Sequence, residues 1–201
     1  MQLSKIIPAR RKTITADWCR LNFMAMSPEF RAIRDRSRHK MQHCHWCQHP
    51  FVDGEMMALA CFQENGNNVL CRKCAIELLR SDPSGNYIVS VKHTPDTDRY
   101  ISFWRPDDRG YAYPLSWAGV YSFQAVSQNY LTYNNGFDSF AVGKALVNAL
   151  GVAPRPGDID GDAGPVVLNT KENWDILIGC MILPPQTDPA PRYFKESNAK
   201  D

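Results

Sequence analysis

Two Cys-x-x-Cys pairs constrain this chain more than any other feature. Cys44-His45-Trp46-Cys47 and Cys71-Arg72-Lys73-Cys74 are separated by 23 residues, 48 to 70. Each pair sets two sulfurs on one side of a tight knuckle, and two knuckles together supply the four-thiolate tetrahedron that zinc prefers. The spacing predicts one structural Zn2+ held by Cys44, Cys47, Cys71 and Cys74, with no coordination position left open for catalysis. His43, His45 and His49 crowd the first knuckle and are expected to be exposed or to support the ligands, because the cysteines already complete the shell. The cysteine total is seven, an odd number that argues against a disulfide framework. Cys19, Cys61 and Cys180 fall outside the pairs, and Cys61 in the predicted hairpin and Cys180 in an apolar run read as small buried hydrophobes.

The residues between and after the pairs read as local structure. Asp53-Gly54 and Asn65-Gly66-Asn67-Asn68 are turn signals around the apolar segment Met56 to Phe62, with Val69-Leu70 as the returning strand. Ala75 to Arg80 reads as a short helix that stops near Asp82-Pro83-Ser84-Gly85. Knuckle, hairpin, then a helix carrying the last ligands: residues 41 to 81 resemble a treble-clef zinc finger in that order. Some treble-clef proteins are metal-dependent nucleases, in which a histidine in the hairpin and further histidine or asparagine on the helix hold the catalytic metal. Here residues 50 to 70 contain no histidine and the helix offers only Glu77, so the resemblance implies a structural metal and a nuclease is the least favoured reading.

Charge divides the chain. The 201 residues carry 23 Lys and Arg against 21 Asp and Glu, a net charge of +2. Residues 1 to 40 hold ten of the basic and three of the acidic residues, a local net of +7, which leaves 13 basic and 18 acidic residues, net −5, in the remainder. A basic segment of this kind holds a phosphate backbone, meets an acidic partner, or docks on its own body.

Within that segment Thr15 to Met24 reads as helical, with Trp18, Leu21 and Phe23 or Met24 on one side. Ser27-Pro28-Glu29 is a helix start, with cap, N1 proline and first-turn acid in sequence. The helix is expected to run from Pro28 toward Lys40 and to present Arg31, Arg34, Arg36, Arg38 and Lys40 as the candidate nucleic-acid or partner-binding residues, since arginine offers a planar fork to phosphate.

From Asn86 onward, Tyr87 to Val91 and Tyr100 to Trp104 read as strands, followed by an aromatic stretch of Tyr111, Tyr113, Trp117, Tyr121, Tyr130 and Tyr133. About two thirds of these aromatics are expected in the core and the rest on a recognition surface. Asp138 or Ser139 caps a predicted helix over Phe140 to Leu150, and Asn169 or Thr170 caps another over Lys171 to Leu183. Gly157 to Asp162 alternates aspartates but has Ala163 and Asn169 where a calcium loop needs glycine and glutamate, so it reads as a solvated loop. The fold class is α+β: a basic helical arm (1–40), a zinc module (41–84), a small mixed α+β domain (85–185) and an extended tail (186–201).

Hydrophobic residues make up 44 % and charged residues 22 % of the chain, values of an ordinary globular protein. Apolar runs such as Ile176 to Leu183 end far short of the roughly 18 residues of a membrane span, and Met1 to Lys12 lacks the apolar stretch of a secretory signal. A cytoplasmic protein with no membrane partner is expected. Residues 100 to 182, with Ile101 to Pro106, Gly110 to Gly119 and Gly164 to Thr170, resemble small accessory proteins of bacteriophages. That resemblance implies a protein acting in an infected bacterium on host defence or transcription machinery, as a non-enzymatic inhibitor of anti-CRISPR type or as a regulator. The alternative from charge is a direct DNA- or RNA-binding regulator.

Overall fold

A computed structural model describes the chain except residues 8–9, 37–40, 82, 160–163 and 196–201, and gives residues 4–7 and 10–12 as backbone. The chain divides into two units, residues 1–83 and 84–201.

In the first unit, β1 (Gln2–Ile7), β2 (Arg10–Ala25), β3 (Met56–Phe62) and β4 (Gly66–Cys71) form one antiparallel sheet in chain order. Two helices complete it: α1 (Pro28–Asp35) and α2 (Arg72–Arg80). The segment Thr15 to Met24, predicted as helical, is part of β2. Its β-branched start Thr13-Ile14-Thr15 suits an extended backbone, and burial alternates there, with Ile14 and Ala16 inside and Thr13 and Asp17 outside. Leu3 faces Ile14 across the β1–β2 ladder, and both are buried. A bulge between Arg20 and Met24, with Asn22 at φ +50°, shifts the register from Arg20↔Leu59 to Met24↔Met57. The apolar residues that suggested a helical face therefore split: Leu21 is buried, whereas Trp18, Phe23 and Met24 are exposed.

The next helix begins where its signals place it. Ser27 Oγ accepts the Phe30 backbone N–H at 3.2 Å, and Pro28 occupies the first turn. It ends at Asp35, with Arg36 as C-cap. The predicted hairpin is present as β3 and β4, paired from Met57↔Cys71 to Phe62↔Gly66. The buried face of α2 carries Ala75, Leu78 and Leu79, and the helix packs on all four strands.

In the second unit, β5 (Asn86–Ser90), β6 (Ser102–Trp104), β7 (Tyr111–Ala112) and β8 (Ser139–Gly143) form an antiparallel sheet of order β7-β6-β5-β8. Around it lie α3 (Phe123–Gln128), α4 (Tyr130–Tyr133), α5 (Lys144–Ala149) and α6 (Lys171–Gly179). The helix predicted over Phe140 to Leu150 is in fact β8 followed by α5. Ser139, Phe140, Ala141 and Val142 are all buried, and pairing with β5 satisfies backbone groups that are out of reach of water. Burial on both faces overrides the helical reading, and the turn into α5 comes only at Gly143.

Thr170 caps α6, its Oγ1 accepting from Asn173 N at 3.3 Å. The helix stops at Gly179 rather than Leu183, because Met181 bridges to Val142 and Ile182 N donates to Ala141 O at 3.1 Å. The chain leaves the helix to cover the edge of β8, a common protection for an unpaired strand. The segment from Gln186, expected to be extended, is held to this unit as far as it is described: Thr187 N donates to Asn135 O and Phe194 N to Asn169 O, both at 3.0 Å, and the Arg99 guanidinium lies over the Phe194 ring.

Among the described residues no helix is long and apolar enough to cross a membrane.

Candidate metal centre

The four paired cysteines converge on one point. The sulfurs of Cys44, Cys47, Cys71 and Cys74 lie within 4.8 Å of one another, and Cys47 and Cys71 are 3.7 Å apart. Cys44, Cys71 and Cys74 are buried and Cys47 closes the cluster on the solvent side.

Backbone geometry sets the first knuckle. Cys44 N donates to His49 O at 2.8 Å, and Gln48 N returns to Cys44 O at 2.9 Å. Gln48 takes φ +62°, a left-handed conformation that closes the turn at some steric cost for a non-glycine residue. His45 N donates to Val69 O at 2.9 Å and so ties the knuckle to β4. Cys71 ends β4 and is the N-cap of α2, whose first turn carries Cys74. The second pair is thus fixed by the junction of a strand and a helix.

The electrostatics of the four sulfurs suit a cation at their centre. Burial works against the Cys47 thiolate, but the His49 backbone N–H and the thiols of Cys44, Cys74 and Cys71 bring its pKa down to about 7. Burial, reinforced by the charge of Cys44, pushes Cys71 up to about 11 against the hydrogen bond from the Cys74 backbone. Burial and the Cys44 charge also raise Cys74. Four thiolates so close cannot all ionise side by side, whereas a divalent ion at their centre removes both the repulsion and the desolvation penalty.

The histidines stand aside from the sulfurs. His49 Nε2 lies 3.0 and 3.1 Å from the two Glu55 carboxylate oxygens, and Glu55 also accepts from Val52 N at 3.1 Å. The His45 ring packs on Phe62 with centroids 5.0 Å apart, and His43 is exposed. The remaining cysteines lie outside the cluster: Cys180 is buried and Cys19 and Cys61 are half-buried. Burial pushes the Cys19 thiol up to about 12.

The candidate partner-binding arginines have diverse surroundings. Arg31 donates through Nη2 to Phe51 O at 2.6 Å and through Nε and Nη2 to Asp53 Oδ1, both at 3.0 Å. The Arg34 guanidinium lies 5.2 Å from the Phe30 ring centroid, and its Nε is buried with no hydrogen-bond partner. Arg36 is exposed at the end of α1. Arg38 and Lys40 lie outside the described residues.

The second unit holds an arrangement that the sequence pattern did not single out. The loop Arg105–Gly110 carries Asp107 and Asp108 in succession at φ +56° and +57°, a strained pair for non-glycine residues. Tyr133 Oη donates to both Asp108 carboxylate oxygens at 2.9 Å, and Tyr121 Oη donates to Arg105 O at 2.6 Å. Gly119 presses on this loop: a Cβ there would lie 2.8 Å from Pro106 N and 2.9 Å from Arg105 C. The braced segment exposes Trp117, Val120 and Phe123, which are 48, 51 and 56 % accessible. Of the aromatic set, Tyr121 and Tyr133 are buried, Tyr113 and Tyr130 half-buried, and Tyr111 and Trp117 exposed.

Comparison with protein-family models, curated proteins and solved structures finds no match to this chain.

Proposed function

We propose that this is a non-enzymatic zinc protein that binds a larger host complex and inhibits or redirects it. The observation that carries the reading is the exposed apolar set Trp117, Val120 and Phe123, held on a braced segment. Tryptophan and other aromatics dominate binding hot spots, and a preorganised backbone lowers the ordering cost of association. Ser122 caps α3 through a 3.1 Å bond from Ala125 N, which sets Phe123 at the first position of that helix.

Zinc is the ion proposed for the cysteine cluster. Tetrahedral coordination at the zinc–sulfur distance of about 2.3 Å requires sulfurs about 3.8 Å apart, and the Cys47 to Cys71 separation is 3.7 Å. Cys44, Cys47, Cys71 and Cys74 would hold it, and its role would be to fix the knuckle, hairpin and α2, an order that supports the treble-clef reading. A four-cysteine shell has no free position for substrate, so the site favours binding over hydrolysis.

The resemblance of residues 100 to 182 to bacteriophage accessory proteins supplies the class of target: defence or transcription machinery in the bacterial cytoplasm. The test is co-elution of the purified protein with purified CRISPR effector complexes and bacterial RNA polymerase on size exclusion. The reading expects a stoichiometric complex with one of them that Trp117→Ala with Phe123→Ala abolishes. Co-elution with neither, or a complex indifferent to both substitutions, contradicts it.

A further inference from the structure

The four cysteines of the cluster differ in their access to solvent: Cys47 is exposed, whereas Cys44, Cys71 and Cys74 are buried. Backbone geometry fixes that difference. Cys47 sits in the turn closed by the 2.9 Å bond from Gln48 N to Cys44 O, while Cys71 and Cys74 belong to the junction of β4 and α2. Oxidation of a cysteine follows its thiolate character and its exposure. In a thiolate cluster with one exposed member, a small oxidant meets that member first.

An oxidised sulfur forms a bond only where a second sulfur is in reach. Cys71 Sγ lies 3.7 Å from Cys47 Sγ, so closing the gap to the roughly 2.05 Å of a disulfide needs a shift of about 1.7 Å. The two residues belong to different pairs, and the segments that carry them are already tied by the 2.9 Å bond from His45 N to Val69 O. The other two cysteines of this unit offer no such partner to each other. Cys61 stands opposite Trp18 and Cys19 opposite Ala60 in the β2–β3 ladder, which puts Cys19 and Cys61 on opposite faces of the sheet.

We infer that Cys47 is a peroxide-sensitive oxidation site, and that Cys71 resolves it as a disulfide that expels the metal. The metal is the zinc proposed above, so the expulsion rests on that reading. The Cys47 thiolate attacks one oxygen of hydrogen peroxide, the O–O bond breaks, and the departing hydroxide takes a proton from solvent and leaves as water. The Cys71 sulfur then attacks the Cys47 sulfenic acid. The S–S bond forms as the S–O bond breaks, and the second hydroxide is protonated to water. The two sulfurs lose two electrons and the two peroxide oxygens gain them. Only Cys44 and Cys74 then remain for the ion, half of the shell that a structural zinc takes. The knuckle stays joined to the end of β4 by a covalent bond, while Cys74 in α2 is released.

The experiment titrates the purified, reduced, zinc-loaded chain with hydrogen peroxide and follows released zinc with a chromogenic chelator. Zinc content before oxidant tests the zinc reading by itself. After free thiols are alkylated, cleavage behind Glu55, Glu64, Arg72 and Lys73 separates the first cysteine pair, Cys61, Cys71 and Cys74 onto different peptides, and tandem mass spectrometry distinguishes Cys47 from Cys44. The expected result is about one zinc released per disulfide, a Cys47–Cys71 link as the main product, and recovery of zinc binding after dithiothreitol and added zinc. Cys47→Ser should slow the release at least about tenfold, and Cys61→Ser should leave it unchanged. The wild-type peptide map decides even where Cys47→Ser does not fold. Zinc retained under excess peroxide, first oxidation at Cys61 or at a buried cysteine, or release with no link between Cys47 and Cys71 would overturn the inference. A chain that lacks zinc from the outset but still forms that link would refute the zinc reading while supporting the oxidation site.

Discussion

Arg31 and Asp53 join α1 to the loop that leaves the first cysteine knuckle. The guanidinium meets Asp53 Oδ1 twice at 3.0 Å and reaches Phe51 O at 2.6 Å. Phe51 is buried, and its own N–H donates to Gln42 O at 3.0 Å. An arginine that would serve as a phosphate contact in a free helix is here a clamp on the loop that follows the first cysteine knuckle.

Arg31→Ala should therefore act on stability. The pair is partly solvent-exposed, with side chains 31 and 54 % accessible, so the ion pair itself counts for little and the charged bond to the Phe51 carbonyl dominates. A loss of about 1 kcal/mol is expected, read by urea unfolding of the metal-loaded protein. A variant of unchanged stability would show that α1 is not fastened through this side chain.

Gly119→Ala should destabilise the second unit by about 1–3 kcal/mol through overpacking, because the new methyl would stand 2.8 Å from Pro106 N, a backbone atom. Thermal unfolding reads the loss, and binding of a protein partner through Trp117 should weaken with it. Tolerance of alanine would mean that residues 105–106 are not a fixed brace.

Tyr113 and Tyr133 predict an alkaline limit. Burial and then the hydrogen bond to a carboxylate, Asp98 for Tyr113 and Asp108 for Tyr133, push each phenol up to about 12 from 10.0. A folded pKa above the unfolded value means stability that is complete below pH 10 and is lost as pH rises toward 12. Phenolate absorbance and circular dichroism followed together should show these two tyrosines ionising as the unit unfolds. Asp108→Asn should move the Tyr133 titration to lower pH. Ionisation near 10 with the fold intact would contradict the arrangement.

What could be read from the residues alone was local. The Ser27 and Thr170 caps, the β3–β4 hairpin and the cysteine pairs are all specified within a few positions by side chains whose chemistry has one good use there. The failures lie where a distant partner decides. Residues Thr15 to Met24 have enough apolar positions for a helical face, and only pairing with β3 makes them a strand. Phe140 to Val142 continue a plausible helix until β5 buries them on both faces. The Arg31 pairing with Asp53 joins residues 22 positions apart, and the exposure of Trp117 beside a buried Tyr121 follows from the close approach of Gly119 to another loop.

The metal is the central claim, and metal analysis combined with chelation tests it most directly. Protein purified without added metal should contain about one zinc per chain by elemental mass spectrometry. Removing it with a chelator should abolish cooperative melting of residues 1–83, and zinc, but not magnesium, should restore it. Cys74→Ser should lower both zinc content and melting temperature. A metal-free preparation that melts the same with and without chelator would contradict the account.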